Sequence, residues 1–166
     1  MSKKQDYTEA EWKAIAAAPV AAGLFITMSD PSGPVGVAKE AMAVGKAITD
    51  AASGETPEVV KAIAESAKAA GGRPELPDFP KGDRNSAKEA LTGVIKTAVG
   101  AVQAKSPAEA DSYKAWLGSV AMKVAQASKE GGFLGIGGTL VSKEEQDALT
   151  QLAGVLGVSA QTMARG

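Results

Sequence analysis

Apolar residues recur at three- and four-residue spacing along most of the chain, which places them on one face of an α-helix. The clearest example carries apolar residues at Leu91, Val94, Ile95, Ala98, Val99 and Val102. Similar spacing runs from Tyr113 to Val124 and from Leu149 to Leu156, with a shorter stretch from Val59 to Ala67. No segment alternates between apolar and polar residues as a strand would. The pattern predicts an all-α protein, a compact bundle of about six to eight helices.

Helix-start signals divide this pattern into elements. Four pairs fit the capping box, in which a hydroxyl and a Glu three residues later bond each other's backbone amides: Thr8 with Glu11, Ser86 with Glu89, Ser106 with Glu109, and Ser142 with Glu145. We therefore predict helices over residues 9–29, 35–53, 57–70, 86–104, 107–128 and 143–156, and a short one from about residue 160. Pro19 should kink or divide the first helix, because it lacks an N–H and crowds the preceding turn.

Several residues inside the predicted helices have an expected packing role. Trp12 and Trp116 should anchor the core near the starts of the two long helices. Methionines are expected to fill gaps between helices, and glycines to let helix axes approach closely. These residues are Met28, Met42, Met122, Gly45, Gly93, Gly100 and Gly118.

The order of predicted elements suggests an internal duplication within a single helical domain spanning residues 1–166. Each half contains a long helix, a glycine-containing loop, a second helix with a Lys-Glu pair, and a further capped segment. The repeat halves would cover residues 8–70 and 106–166, and the helix at residues 86–104 would bridge them.

Composition excludes several kinds of chemistry. The 166 residues include no His and no Cys, so there is no Ser-His-Asp triad, no Cys nucleophile and no thiolate or imidazole metal site. Acid–base chemistry would fall to Asp, Glu, Lys or Tyr, and a metal would have to be a hard cation with oxygen ligands. We expect no cofactor. With 18 Lys and Arg against 19 Asp and Glu, the chain lacks the basic excess of a nucleic-acid binder.

The longest uncharged stretch, residues 14–29, contains Pro19 and Gly23 and is shorter than the roughly 20 apolar residues of a membrane span. Acidic residues precede it, whereas a secretory signal begins with net positive charge. These features predict a cytoplasmic protein without a transmembrane segment, and nothing in the sequence supports contact with a membrane surface.

The most unusual stretch is a glycine-rich loop at residues 131–141, just before the helix capped by Ser142. One interpretation is a connector whose glycines allow positive φ while its bulky residues pack inward. The other is a binding element, either for an anion or for a partner that meets a mobile apolar loop. The candidate residues are Phe133, Leu134, Gly135, Ile136, Gly137 and Gly138.

Four acidic residues are weak candidates for a cation site. Asp30 follows the first long helix, Glu40 lies ten residues further, and Glu144 and Glu145 begin the helix after the glycine-rich loop. Turn formation accounts for Asp30, and the helix dipole accounts for the two first-turn glutamates. We therefore predict no tight metal site.

The segment from Gly138 to Glu145, followed by apolar residues and Leu156-Gly157, resembles the tellurite-resistance (TerB-like) helical family. In that family, an Asp-Gly loop precedes a helix that carries an early Glu and ends in Leu-Gly. Asp30 to Val35 with Glu40 resembles the same element in the first half. The resemblance implies a compact, duplicated, bacterial helical domain, cytoplasmic or at the inner face of the membrane, with no known reaction. Gly137 stands where the family has an acid, which weakens the transfer of metal binding.

The leading functional hypothesis is a non-enzymatic protein-interaction module that binds a protein partner or associates with itself. The lack of a catalytic constellation and the apolar glycine-rich loop motivate it. Two alternatives remain open. One is a TerB-like protein that binds divalent cations, or acts in a stress response, through Asp and Glu ligands. The other is an enzyme with a site made only of carboxylates, built from Asp30, Glu40 and Glu144.

Overall fold

A computed structural model describes residues 3–30, 33–78, 83–127 and 141–163, and within these ranges the only regular elements are helices. A short 3-10 helix at Lys4–Asp6 precedes seven α-helices. They are α1 (Glu9–Thr27), α2 (Gly33–Asp50), α3 (Glu58–Ala69), α4 (Arg84–Lys105), α5 (Pro107–Ala127), α6 (Lys143–Leu156) and α7 (Ala160–Met163). The predicted all-α bundle is confirmed, and most helix ends lie within three residues of their predicted positions.

Helix α1 lies at the centre of the bundle because it is apolar on nearly every side. Every residue from Ile15 to Gly23 is buried, as expected for a helix that neighbours surround. It packs most extensively against α4, then against α5 and α2. Burial in the core therefore explains its uncharged stretch. Among the helices that the structure describes, none combines the length and the apolar character needed to cross a membrane.

Pro19 does not divide α1, because another helix supplies the hydrogen bond that proline removes. In an α-helix the carbonyl of Ile15 would accept from the amide of residue 19, but proline has no N–H. The hydroxyl of Tyr113 on α5 donates to this carbonyl oxygen at 3.1 Å. Tyr113 is fully buried, and burial raises the pKa of its hydroxyl far above the ordinary value. The bond compensates for the proline inside the core.

Helix α5 is the second central element, in contact with each of the other six α-helices. The predicted core positions of Trp12 and Trp116 are confirmed, since these side chains are 5% and 8% exposed. Each tryptophan lies beside a tyrosine: Tyr7 and Trp12 have ring centroids 6.1 Å apart, and Tyr113 and Trp116 have theirs 6.3 Å apart. These distances are typical of favourable aromatic pairs.

Two of the four predicted capping boxes form. At α1, the Thr8 hydroxyl accepts from the Glu11 amide, and the Glu11 carboxylate accepts from the Thr8 amide at 2.7 Å. Ser142 and Glu145 make the same reciprocal bonds at α6. The Glu11 carboxylate also accepts from Lys105 at 2.7 Å. The pKa of Glu11 is lowered to about 2, with the largest contribution from the hydrogen bond to Lys105 and the next largest from the bonds to Thr8.

The box predicted at Ser86 and Glu89 is wrong, because Asp83 caps α4 instead, and the Glu109 carboxylate at α5 bonds to another helix. Helix α4 begins earlier than predicted, with Asp83 as its N-cap. The Asp83 carboxylate accepts from the amides of Asn85 and Ser86 at 2.9 and 3.1 Å. Glu109 extends to another helix, where its carboxylate accepts from the amide of Val59 in the first turn of α3 at 3.1 Å. It therefore helps to stabilise the start of α3.

Close helix approach occurs at only one of the four predicted glycines. A Cβ at Gly118 would lie 2.5 Å from Cγ of Met163, so α7 packs directly on the α5 backbone. The prediction is wrong at the other three positions, where an added Cβ would meet nothing within 4 Å: Gly45, Gly93 and Gly100. An unpredicted close approach is at Gly23, whose added Cβ would lie 2.6 Å from Cγ2 of Val44.

Candidate functional site

The glycine-rich loop lies outside the described residues. None of its candidate residues has a described position: Phe133, Leu134, Gly135, Ile136, Gly137 and Gly138. The structure shows the helices on either side of it, α5 ending at Ala127 and α6 beginning at Lys143. These two helices pack against each other. Both interpretations of the loop, as a connector and as a binding element, remain predictions.

The four acidic candidates have different surroundings. Glu145 is 2% exposed and is held in the capping box of α6, with its carboxylate accepting from the Ser142 amide at 2.8 Å. Glu144 beside it is exposed, Asp30 after α1 is half-buried, and Glu40 on α2 is buried. Across the described ranges, no three acidic side chains come together in a group that could hold a metal ion.

An exposed apolar surface on α2 was not anticipated from the sequence. Met42 is 74% exposed and Val37 is 42% exposed. The prediction that Met42 fills a gap in the core is therefore wrong. The buried face of α2 carries Val44, Ala47 and Ile48, and Met42 faces solvent.

Met42 lines a groove between α2 and α5 with a volume of about 540 Å³, called here the α2–α5 groove. Small side chains, Ala43 and Ala47, keep it open. Three lysines and one aspartate also line it: Lys39, Lys46, Lys123 and Asp50.

The charges of the α2–α5 groove do not balance. Lys46 pairs with Asp50, with Nζ 2.7 Å from Oδ2. Lys39 and Lys123 make no ion pair with any residue that the structure describes. The groove therefore combines an exposed thioether with two lysines that have no ion-pair partner among the described residues.

Part of this surface can be found in the sequence. Lys39, Met42 and Lys46 follow the three- and four-residue spacing that places side chains on one helix face. Lys123, on a helix distant in sequence, joins them only through the packing of α2 on α5.

Comparison with known protein families, curated proteins and solved structures found no match to this chain. The resemblance to the tellurite-resistance (TerB-like) family stays a prediction, as does the internal duplication.

Proposed function

We propose that the protein is a non-enzymatic interaction module whose α2–α5 groove binds an acidic amphipathic helix of a protein partner. The observation that carries this proposal is the 74% exposure of Met42 in a groove that also contains Lys39 and Lys123. Methionine is flexible and polarisable, and it is common on surfaces that adapt to a partner.

The shape of the groove favours a helical partner segment. A groove between two helices can receive the apolar face of a third helix, with anchors spaced three or four residues apart. Ala43 and Ala47 would leave room for such anchors, and Met42 would pack beside them. This arrangement would remove the apolar surface of Met42 from water, which is the main favourable term in association.

The charges favour an acidic partner. Lys39 and Lys123 would meet carboxylates at the rim of the groove, where complementary charges speed association and reject basic competitors. Such rim contacts are screened by salt. Binding should therefore weaken as the ionic strength rises, while the contribution from Met42 should remain.

Photo-crosslinking tests this proposal. A photoreactive residue replaces Met42 in one variant and Thr97, an exposed residue of α4, in a matched control. In extract from native cells, position 42 should crosslink to a discrete protein and position 97 should not. The double variant Lys39→Glu, Lys123→Glu should abolish that crosslink.

Three outcomes would overturn the proposal. Equal crosslinking from both positions would show that position 42 has no specific partner. Crosslinking of position 42 mainly to lipid would indicate a membrane-facing surface. A crosslinked homodimer, with a dimeric mass by light scattering, would assign the groove to self-association.

A further inference from the structure

Lys88 on α4 is a half-buried cation whose described neighbours provide no counterion. Its Nζ lies 4.6 Å from the centroid of the Phe25 ring. The pKa of Lys88 is lowered, mainly by burial and to a smaller extent by the positive charge of Arg84. It forms no ion pair with any residue in the described part of the chain. The aromatic face offsets some of the cost of removing this ammonium from water, and an anion would offset more.

Lys88 lines an open groove between α4 and α6, with a volume of about 580 Å³, called here the α4–α6 groove. Lys96, two helical turns further along α4, lines it too. Gly93 lies between them, and a Cβ added there would meet nothing within 4 Å. The groove therefore has two lysines and open space at the glycine. Its volume is within the usual range of small-molecule sites.

The other groups that line the groove suit a ligand rich in hydroxyls. The Thr92 hydroxyl donates to the Lys88 carbonyl at 2.9 Å, so its free lone pair can accept a hydrogen bond. Asn85 and Gln151 add amides that both donate and accept. Among the described residues that line the groove, Glu89 is the one acid. Because a carboxylate only accepts hydrogen bonds, Glu89 would bind a ligand hydroxyl rather than a second anionic group.

We propose that the α4–α6 groove binds a small phosphorylated polyol, with the phosphate near Lys88 and Lys96. A phosphomonoester carries a charge of about −1.5 to −2 at neutral pH, which balances two ammonium groups better than a single carboxylate would. The hydroxyls of the ligand would bond to Asn85, Glu89 and Gln151. This site is separate from the α2–α5 groove and does not depend on the protein-interaction function.

Calorimetric titration of the full chain tests the ligand class. The probes are glucose 6-phosphate, glucose and inorganic phosphate. We expect glucose 6-phosphate to bind with a Kd below about 1 mM, and each of the other two to bind at least tenfold more weakly. Amide chemical shifts should change along α4 and α6, including those of Thr92 and Gln151.

Two pairs of variants test the site. Lys88→Met keeps an apolar stem over Phe25 but removes the charge, so it should weaken binding at least tenfold, or about 1.4 kcal/mol. Its matched control is Lys68→Met, an exposed lysine on α3 outside this groove, which should change nothing. Gly93→Leu fills the groove without removing a charge and should abolish binding. Gly100→Leu, at another unobstructed glycine of α4, should not.

The proposal fails if glucose 6-phosphate shows no saturable binding or binds with a Kd above about 1 mM. It also fails if inorganic phosphate or glucose binds as tightly as the ester. Equal weakening by Lys88→Met and Lys68→Met would show a diffuse effect of surface charge. Equal weakening by the two leucine variants would show that the open space at Gly93 is not the site. Far-UV circular dichroism of each variant checks that a loss of binding does not result from a loss of folding.

Discussion

Replacing Tyr113 with Phe removes one buried hydroxyl and leaves the aromatic ring in place. The hydroxyl donates to the Ile15 carbonyl at 3.1 Å, whose ordinary helical donor is missing because residue 19 is proline. Tyr113 and Ile15 are both 0% exposed, so water cannot readily replace the lost donor. A buried acceptor left without its bond costs about 1–3 kcal/mol. We expect Tyr113→Phe to lower the free energy of unfolding by about 2 kcal/mol.

A second substitution makes this prediction specific. In Pro19→Ala, the new amide at residue 19 can donate to the Ile15 carbonyl as in any α-helix. Tyr113→Phe should then cost less in this background, by about 1 kcal/mol. The control is Tyr7→Phe, which loses a hydroxyl contact with Ser106 at 3.1 Å away from the proline. It should cost the same in both backgrounds.

Urea denaturation followed by far-UV circular dichroism measures all these variants. Equal m values would show that the midpoint shifts report stability rather than a changed denatured state. The reasoning would be refuted if Tyr113→Phe cost the same with and without Pro19. It would also be refuted if Tyr113→Phe changed the free energy of unfolding by less than about 0.5 kcal/mol, the range of a surface substitution.

Three further predictions concern other contacts. Gly23→Ala should destabilise the protein by about 1 kcal/mol, because overpacking against Val44 outweighs the gain in helix propensity. Gly93→Ala, at an unobstructed position, should stabilise it by up to about 1 kcal/mol. Thermal denaturation that showed both variants shifting the melting temperature in the same direction would contradict this. Ser142→Ala should cost about 1 kcal/mol through loss of the α6 cap, and an unchanged urea midpoint would count against it. Glu11→Gln should lower the stability of the protein near pH 7. The difference in stability from the parent protein should shrink as the pH falls from about 4.5 to 2, because the pKa of Glu11 in the folded state is lowered to about 2. A difference in melting temperature that did not change with pH would contradict this.

Helix α6 shows that sequence signals near its two ends are enough to predict where a helix begins and ends. Its bounds, Lys143–Leu156, match the predicted residues 143–156. Ser142 caps its start, and Gly157 ends it in the left-handed region with φ of 69°, where glycine carries no steric penalty. Both signals depend on atoms within a few residues of the helix end. The start of α4 differs because the Asp83 carboxylate caps the amides of Asn85 and Ser86, so the helix begins two residues before the predicted residue 86.

The candidate sites were much less predictable than the helices. The sequence placed Lys39 and Met42 on one helix face, but the partner face containing Lys123 comes from packing. Lys88 gave no signal in the sequence, because the Phe25 ring beneath it belongs to another helix. A groove is the space that two elements leave between them, so it has no local sequence signature.

The sequence by itself determined which segments are helical, because apolar spacing, caps and helix stops act within a few residues of the chain. The tertiary structure alone decided how Pro19 is accommodated, since the compensating hydroxyl comes from α5. It also decided which glycines mark close contacts, Gly23 and Gly118 rather than Gly93 or Gly100. Every glycine lacks a Cβ, but only the packing of neighbouring helices determines whether another atom occupies that space.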